Sequence, residues 1–263
     1  MTLRAAISTP AGKRQYVRRL FATIADRYDL ITVLLSYGQD RRWKARLIEL
    51  AALGPGDRVL DLACGTGDLL YAAATRAGTA VGLDITPRML QLAKERSVTG
   101  AKAGLVAGDM VALPCQVAGF DVITTGYGLR NVPDLQAAVA EIERVLAPGG
   151  RFLSLDFNRP DNPVVRAAYL AYLTLVGSVF GLVLHRDPNT YRYIPESIRQ
   201  YPGAAAVARC LQEAGFTDVH VVPLLGGLMA IHTARKPYVN GRTVSAFEPG
   251  CQHIQQERQD VVF

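Results

Sequence analysis

"RVLDLACGTGDLLYAAATRAG", residues 58–78, joins a short apolar run to a glycine-bearing turn and then to a stretch of helical pattern. The run at 58–63 has the length of a buried strand, and 68–78 is typical of the helix after it. Gly65 and Gly67 lack the Cβ atoms that would keep a ligand away from the backbone where the helix begins. The stretch therefore predicts a strand–loop–helix unit whose loop contacts a ligand.

The same alternation of strand and helix continues along the chain. The further strands are predicted at 80–85, 103–110, 120–125, 151–157, 217–224 and 229–236, and the further helices at 86–97, 135–146 and 205–216. Strands that alternate with helices at this spacing form a mostly parallel sheet. We therefore predict an α/β, Rossmann-like fold with about seven strands, helices on both faces and a C-terminal antiparallel hairpin.

The chain divides into five parts by these patterns. We expect an N-terminal helical region at 1–52, a ligand-binding core at 53–157, an apolar insertion at 158–204, a helix and strands that complete the sheet at 205–236, and a mobile tail at 237–263. The insertion carries an uncharged run at 167–184, which meets the lower limit for a membrane span. Its glycines, its hydroxyl residues and the strands still to come favour a lid or channel wall for an apolar ligand. A plain core helix and a membrane span stay open.

Charge and cysteine usage restrict the class of protein. The net charge of +6 favours anionic partners, but the Lys and Arg residues are spread along the chain, which disfavours nucleic acid. The cysteines (Cys64, Cys115, Cys210 and Cys251) lack disulfide or metal spacing, so we expect reduced thiols and no metal site. The basic N-terminus has helical periodicity and no signal core, which predicts a cytoplasmic protein, with a transit peptide as the less favoured alternative.

Carboxylates at the ends of three predicted strands indicate which ligand the loop binds. Asp61 precedes the first glycine and can face a cation, Asp84 can accept both hydroxyls of a ribose, and Asp109 can accept from an adenine amino group while Met110 packs on its ring. The third glycine of the dinucleotide fingerprint would fall at Leu70, which disfavours a pyrophosphate. S-adenosylmethionine has an α-amino group and no pyrophosphate. Capping of the following helices stays open as the alternative for Asp84 and Asp109.

Five motifs carry a resemblance to a known family: "RYDLITVLLSYGQDRRWK" (27–44), "DLACGTGDL" (61–69), "GYGLRNVPD" (126–134), "LDFNRP" (155–160) and "YRYIPESIRQYP" (191–202). Over roughly 16–236 the chain resembles class I S-adenosylmethionine-dependent methyltransferases, in particular the C-methyltransferases of menaquinone and ubiquinone biosynthesis. "GYGLRNV", "DFNRP" and "GGLM" (226–229) look most like the branch that methylates demethylmenaquinone or demethylphylloquinone.

The resemblance implies S-adenosylmethionine as methyl donor, with Thr66, Asp84, Asp109 and Met110 among its contacts. The family often carries Ser where this chain has Gly126, so only a backbone contact is expected there. The implied reaction is methylation of a ring carbon of a demethylated prenyl or phytyl naphthoquinol. A benzoquinol substrate is the alternative, and an NAD-dependent oxidoreductase or a non-catalytic quinone or lipid carrier would be a different class.

The chemistry of ring methylation suggests roles for Arg130, Asn131 and Tyr28. A reduced quinol becomes nucleophilic at carbon when a phenolic proton leaves. Arg130 stays protonated, so it can stabilise a phenolate or orient a water, but it cannot be the base itself. Asn131 can hydrogen-bond a ring oxygen, and Tyr28 can flank the ring. The alternative is structural: Arg130 pairs with a helix carboxylate, and Asn131 caps the helix at 132–146.

The apolar run at 167–184 and the basic N-terminus suggest where the substrate comes from. A prenyl or phytyl chain needs an apolar channel or access to a bilayer, and the positive charge favours loose attachment to an anionic membrane surface. Asp156, at the end of the fifth predicted strand, is a further candidate for the pocket. A homodimer is left open.

Overall fold

The computed structural model describes residues 3–97 and 103–238. Cys251 and all but the first two residues of the expected tail lie outside the described residues. The three cysteines that are described, Cys64, Cys115 and Cys210, are free thiols, as predicted. Among the described residues no cluster of His, Cys, Asp and Glu could hold a metal ion.

One sheet of seven strands forms the centre of the described chain, in the order β3–β2–β1–β4–β5–β7–β6. The strands are β1 (Arg58–Leu62), β2 (Thr79–Asp84), β3 (Ala103–Ala107), β4 (Phe120–Gly126), β5 (Leu146–Phe157), β6 (Thr217–Leu224) and β7 (Met229–Arg235). The first five strands run parallel, and β7 lies antiparallel between β5 and β6. The predicted fold class and its C-terminal hairpin are confirmed.

Ten α-helices of the described residues surround this sheet. They are α1 (Leu3–Ala6), α2 (Pro10–Ile24), α3 (Tyr28–Leu35), α4 (Asp40–Ala51), α5 (Asp68–Ala74), α6 (Pro87–Glu95), α7 (Leu135–Val145), α8 (Pro163–His185), α9 (Tyr193–Gln200) and α10 (Ala204–Glu213). A short 3₁₀ turn at Leu129–Asn131 follows β4.

The two faces of the sheet pack into separate cores because side chains alternate along each strand. Leu60 and Leu62 of β1 join a cluster with α7 and α10, whereas Val59 joins a cluster with α4 and α5. Burial on both faces explains why the predicted strands are apolar runs rather than alternating patterns.

Several segments differ from the prediction in their bounds; for example, β5 begins at Leu146 rather than at 151, and α5 ends at Ala74 rather than at 78. The strand β3 ends at Ala107, and Asp109 lies in the bend after it, where it bridges to Ala112. The insertion helix α8 begins at Pro163, four residues before the uncharged run, because Asn162 caps it by accepting hydrogen bonds from the amides of Val164 and Val165.

Candidate active site

An open cavity of about 700 Å³ lies at the carboxyl ends of β1, β2 and β4. The strand order reverses at β1, so the loops that follow its two neighbours diverge and leave a crevice there. Five of the predicted cofactor residues line this cavity: Gly65, Asp84, Asp109, Met110 and Gly126. The fold thus brings together side chains that are far apart in sequence.

Asp84 ties the loops after β1 and β2 to each other. Its carboxylate accepts a hydrogen bond from the Gly65 amide at 2.9 Å and another from the Thr86 amide at 2.8 Å. Thr86 is the N-cap position of α6, so Asp84 both supports that helix start and faces the cavity. Burial raises the pKa of Asp84.

The glycine loop requires backbone conformations that other residues adopt rarely. Gly65 has a φ of +54° and Gly67 a φ of +92°, both in the left-handed region. A Cβ added to Gly67 would lie 2.5 Å from the ring of Tyr71. Gly65 lines the cavity, whereas Gly67 shapes the turn beside it.

A smaller cavity adjoins the first and is lined by Asp61, Thr66 and Lys44. Asp61 is buried and accepts a hydrogen bond from the Thr124 hydroxyl at 2.8 Å, and burial raises its pKa to about 7. The hydroxyl of Thr66 donates to Asp29 of α3 at 2.8 Å. A bound ammonium group beside Asp61 would favour the ionised carboxylate.

The helix α2 contributes Arg14, Val17 and Phe21 to the lining of the crevice at the sheet. Its Arg14 forms an ion pair with Asp109 and lines the cavity, while the Val111 amide donates to the other oxygen of Asp109 at 3.0 Å. No local pattern in the sequence marks Arg14, because its partner lies 95 residues away.

A second cavity of about 870 Å³ is mostly apolar and lies among α2, α3, α8 and α9. Tyr169, Tyr172 and Leu173 of α8 form part of its wall. Phe21, Tyr28 and Tyr127 line both this cavity and the crevice at the sheet, so the two spaces meet at these rings. Tyr28, predicted to flank a substrate ring, therefore lies at the border.

Arg130 is buried and lines the apolar cavity. Its Nε lies 3.1 Å from Asp156, the next-to-last residue of β5, and its Nη1 donates to Asn131 at 3.0 Å and to Ser197 at 3.3 Å. The guanidinium lies 4.8 Å from the centre of the Phe157 ring. Burial raises the pKa of Asp156, although the charge of Arg130 opposes this.

The structure does not show the alternative in which Asn131 caps the helix after this turn and Arg130 pairs with a helix carboxylate. The amide of Asn131 donates to the Tyr127 carbonyl at 2.7 Å, and the side chain lines the crevice at the sheet. Asp134, rather than Asn131, caps α7 by accepting from the Ala137 amide at 3.1 Å. The carboxylate that pairs with Arg130 belongs to a strand and not to a helix.

Tyr127 and Asp40 are the features of this region that sequence reasoning missed. Tyr127 lines all three cavities, and its hydroxyl donates to the buried carboxylate of Asp40 at 2.6 Å. The only local signal for Tyr127 is the pair of glycines, Gly126 and Gly128, on either side of it.

Comparison with known proteins gives matches to methyltransferases. The model of the ubiE/COQ5 methyltransferase family matches residues 10–236. A demethylmenaquinone methyltransferase of Staphylococcus aureus (strain JH9) is 34% identical over 228 residues, covering 86% of this chain and 95% of the relative.

Two solved structures share the fold at low sequence identity. A SAM-dependent methyltransferase of Thermotoga maritima is 16% identical with a TM-score of 0.60, over 84% of this chain and 99% of that one. Phosphoethanolamine N-methyltransferase 2 of Haemonchus contortus, in complex with S-adenosyl-L-methionine, is 16% identical with a TM-score of 0.56, over 74% of this chain and 52% of that one.

Proposed function

Since the chain belongs to the ubiE/COQ5 methyltransferase family and is an S-adenosylmethionine-dependent methyltransferase, we propose that its substrate is a demethylated prenyl or phytyl naphthoquinol, methylated at a ring carbon. The observation that carries this proposal is the meeting of two cavities. A crevice rimmed with carboxylates touches a large apolar cavity at Tyr28 and Tyr127, and Arg130 lines the apolar side.

The crevice suits S-adenosylmethionine in its chemistry. This cofactor supplies an electrophilic methyl group on a sulfonium. We assign Asp84 to the ribose hydroxyls, Asp109 and Met110 to the adenine, and Asp61 to the α-amino group, with Thr66 and the backbone of Gly65 and Gly126 beside them. Gly67 gives the loop its turn. The buried carboxylates of Asp61 and Asp84 support this assignment because each would gain a charged or hydrogen-bonding partner.

The apolar cavity suits a quinol ring with a long chain. Each buried CH₂ of such a chain contributes about 0.8 kcal/mol. We assign 53–157 to the cofactor and 158–204 to the substrate, with α8 as the wall of the channel and Tyr28 against the ring. Arg130 would stabilise the developing phenolate. The side chain of Asn131 accepts a hydrogen bond from Nη1 of Arg130 and donates one to the Tyr127 carbonyl. It would therefore orient the guanidinium of Arg130 toward the ring oxygen.

Product analysis by mass spectrometry tests the substrate class. With S-adenosylmethionine and reduced demethylmenaquinone, we expect the mass gain of one methyl substitution, and the oxidised quinone is expected to be inert because its ring carbon is electron-poor. The demethylated benzoquinol precursor is expected to react more slowly. Faster methylation of the benzoquinol would assign the chain to ubiquinone synthesis, and binding of the quinol without methyl transfer would indicate a carrier.

We also propose that the protein works in the cytoplasm at the surface of an anionic membrane. Among the described residues, α8 is the one helix long and apolar enough to cross a bilayer by length and composition. Its buried side packs on the protein through residues such as Leu173 and Gly177, while Leu175, Val179, Leu182 and Val183 are exposed. An apolar stripe with one packed side and one open side is suited to lying in the bilayer interface.

The neighbouring helix α3 extends this apolar surface. Arg27 donates to the Leu184 carbonyl and Tyr37 stacks on Tyr172 at 6.0 Å, so α3 and α8 run side by side in opposite directions. Apolar residues exposed on α3 and on the second half of α8 make up what we call the α3–α8 face: Leu30, Val33, Leu34, Leu175, Val179, Leu182 and Val183. Tyr37 and Tyr172 line the apolar cavity, so this face adjoins the cavity that we assign to the lipid chain.

Exposed guanidinium groups support an anionic bilayer as the partner of this face. Arg186 directly follows α8, and Arg41 and Arg42 lie in the first turn of α4, shortly after Tyr37. Each basic residue near an anionic surface contributes about 1 kcal/mol.

Val183→Glu is expected to weaken binding to anionic vesicles at low salt about tenfold or more, because burial of a valine side chain contributes about 1.5–3 kcal/mol. Cosedimentation with phosphatidylserine vesicles measures this. Val117→Glu is the matched control, since Val117 is 65% exposed, comparable to the 70% of Val183, but lies outside the α3–α8 face. Wild-type protein that ignores the vesicles, or a dimer in solution that Val183→Glu dissociates, would contradict membrane attachment.

A further inference from the structure

We propose that Tyr127 and Asp40 form a proton relay that accepts the phenolic proton of the substrate and later returns it to the ring oxygen, with Lys44 as the counter-ion of Asp40. The inference rests on the proposed quinol substrate and adds the proton acceptor that Arg130 cannot be, because a guanidinium has no free acceptor site.

Tyr127 is held in place at the border of the cavities. Its φ of +60° is unusual for a residue with a large side chain and is maintained by neighbouring contacts. Its amide donates to the Leu155 carbonyl at 2.6 Å, its carbonyl accepts from Asn131, and its ring lies 5.8 Å from that of Phe157. Tyr127 therefore lines the same cavity as Tyr28 and Arg130.

Asp40 continues the relay behind Tyr127. Its side chain is buried at the start of α4, and it accepts the Tyr127 hydroxyl at 2.6 Å and pairs with Lys44 at 2.7 Å. Lys44 lies 2.8 Å from Asp68, whose side chain is 43% exposed. Lys44 is thus held between two carboxylates as the counter-ion of Asp40.

Burial and the groups around Tyr127 keep its phenol protonated. Burial, Asp40, Tyr28 and Asp156 all raise its pKa well above the usual value, so it does not persist as a tyrosinate. Burial would lower the pKa of Lys44, but Asp40 and Asp68 raise it above its usual range, so Lys44 stays charged beside Asp40. Tyr127 therefore passes a proton on only when it receives one.

Two protons move along the relay before the methyl group is transferred. The O–H bond of the substrate breaks and its proton goes to Oη of Tyr127, while the proton of Tyr127 goes to a carboxylate oxygen of Asp40. The electron pair moves into the ring, the ring carbon forms a bond to the methyl group, and the sulfur–carbon bond breaks to leave a thioether. The ring C–H proton then leaves to water, and Asp40 returns its proton through Tyr127 to the ring oxygen. One proton is released for each methyl group transferred.

Tyr127→Phe in the full chain tests the relay with a reduced naphthoquinol and saturating S-adenosylmethionine. We expect kcat at pH 7 to fall about 10²–10⁴-fold, the usual contribution of general acid–base catalysis. The deficit is expected to shrink toward pH 10, where the phenol (pKa about 10, by analogy with tyrosine) ionises without help. Asp40→Asn is expected to behave alike, and Asp40→Glu to recover part of kcat.

Two variants control for general loss of a tyrosine or aspartate. Tyr71 donates to the Ala93 carbonyl and Asp121 pairs with Arg58, and neither lines the cavities described. Tyr71→Phe and Asp121→Asn are expected to keep kcat within about threefold and to leave the pH profile unchanged. An unchanged dissociation constant for S-adenosylmethionine in Tyr127→Phe shows that the variant is folded.

The outcomes separate the relay from the proposed function. A wild-type protein that methylates no quinol refutes the proposed function itself. If the wild type is active and Tyr127→Phe keeps kcat within about threefold at pH 7, the relay is refuted alone. A deficit of constant size from pH 7 to pH 10 would also overturn it, because a positioning role predicts no recovery with substrate ionisation.

Discussion

Arg130→Ala is expected to lower kcat about 10²–10³-fold, while the dissociation constant of S-adenosylmethionine changes by less than about threefold. Loss of one preorganised donor at a developing oxyanion has an effect of this size. Arg130 lines the apolar cavity and lies outside the lining of the crevice assigned to the cofactor, so the effect should fall on turnover. Single-turnover kinetics and equilibrium binding of the cofactor measure the two quantities separately.

A complication of Arg130→Ala is that Asp156 loses its partner. An uncompensated buried charge is strongly destabilising, by about 3–5 kcal/mol. The double variant Arg130→Ala/Asp156→Asn removes that carboxylate, and we expect it to remain folded but slow. Arg130→Lys keeps the charge without the planar fork and should recover activity only in part. Equal losses of turnover and cofactor affinity would contradict the assignment of Arg130 to the substrate.

Asp84→Ala is expected to show the opposite pattern. Loss of charge-assisted hydrogen bonds to two ribose hydroxyls, at about 1.5–3 kcal/mol each, weakens S-adenosylmethionine binding by about 10²–10³-fold or more. At saturating cofactor we expect kcat within about tenfold of the wild type. Isothermal titration of the cofactor and initial rates at high concentration measure these effects.

The loss of affinity for S-adenosylmethionine at low pH provides a second test of the role of Asp84. Burial raises the pKa of its carboxyl, so affinity that depends on the carboxylate should be present above that pKa and lost as pH falls through it. As pH falls, the affinity of the wild type for S-adenosylmethionine should therefore begin to drop at a higher pH than it would with an exposed aspartate. Asp84→Ala should lose this pH dependence of cofactor affinity. Asp57→Asn is the matched control, because Asp57 lies at the opposite end of β1 and pairs with Arg151. An Asp84→Ala variant with wild-type affinity would remove Asp84 from the ribose site.

Much of the fold could be predicted because strands and helices have local periods. The strands β1, β2, β4 and β7 lie within one residue of the predicted bounds. The gathering of Asp61, Asp84 and Asp109 was also predictable, because parallel strands end at one edge of the sheet. The roles of these carboxylates remain predictions until the variants are measured.

Other parts of the site depend on contacts that no local pattern contains. Arg14 meets Asp109, Asp29 meets Thr66, and Tyr127 meets Asp40 across 87 residues. The N-terminal helices could fold over the crevice in several ways compatible with their amphipathic patterns. Which side chains they bring to it follows from the packing of the whole molecule.

The sequence by itself determined the order of strands and helices along the chain, the glycine loop and the placement of acidic residues at or just after strand ends, because these follow from periods and spacings of a few residues. Only the tertiary structure decided that Arg130 pairs with Asp156, that Tyr127 points to Asp40, and which side of α8 is buried. The reason is physical. A run without charge at 167–184 has no polar face to orient it, and pairs separated by tens of residues are selected by close packing of distant segments rather than by local preference.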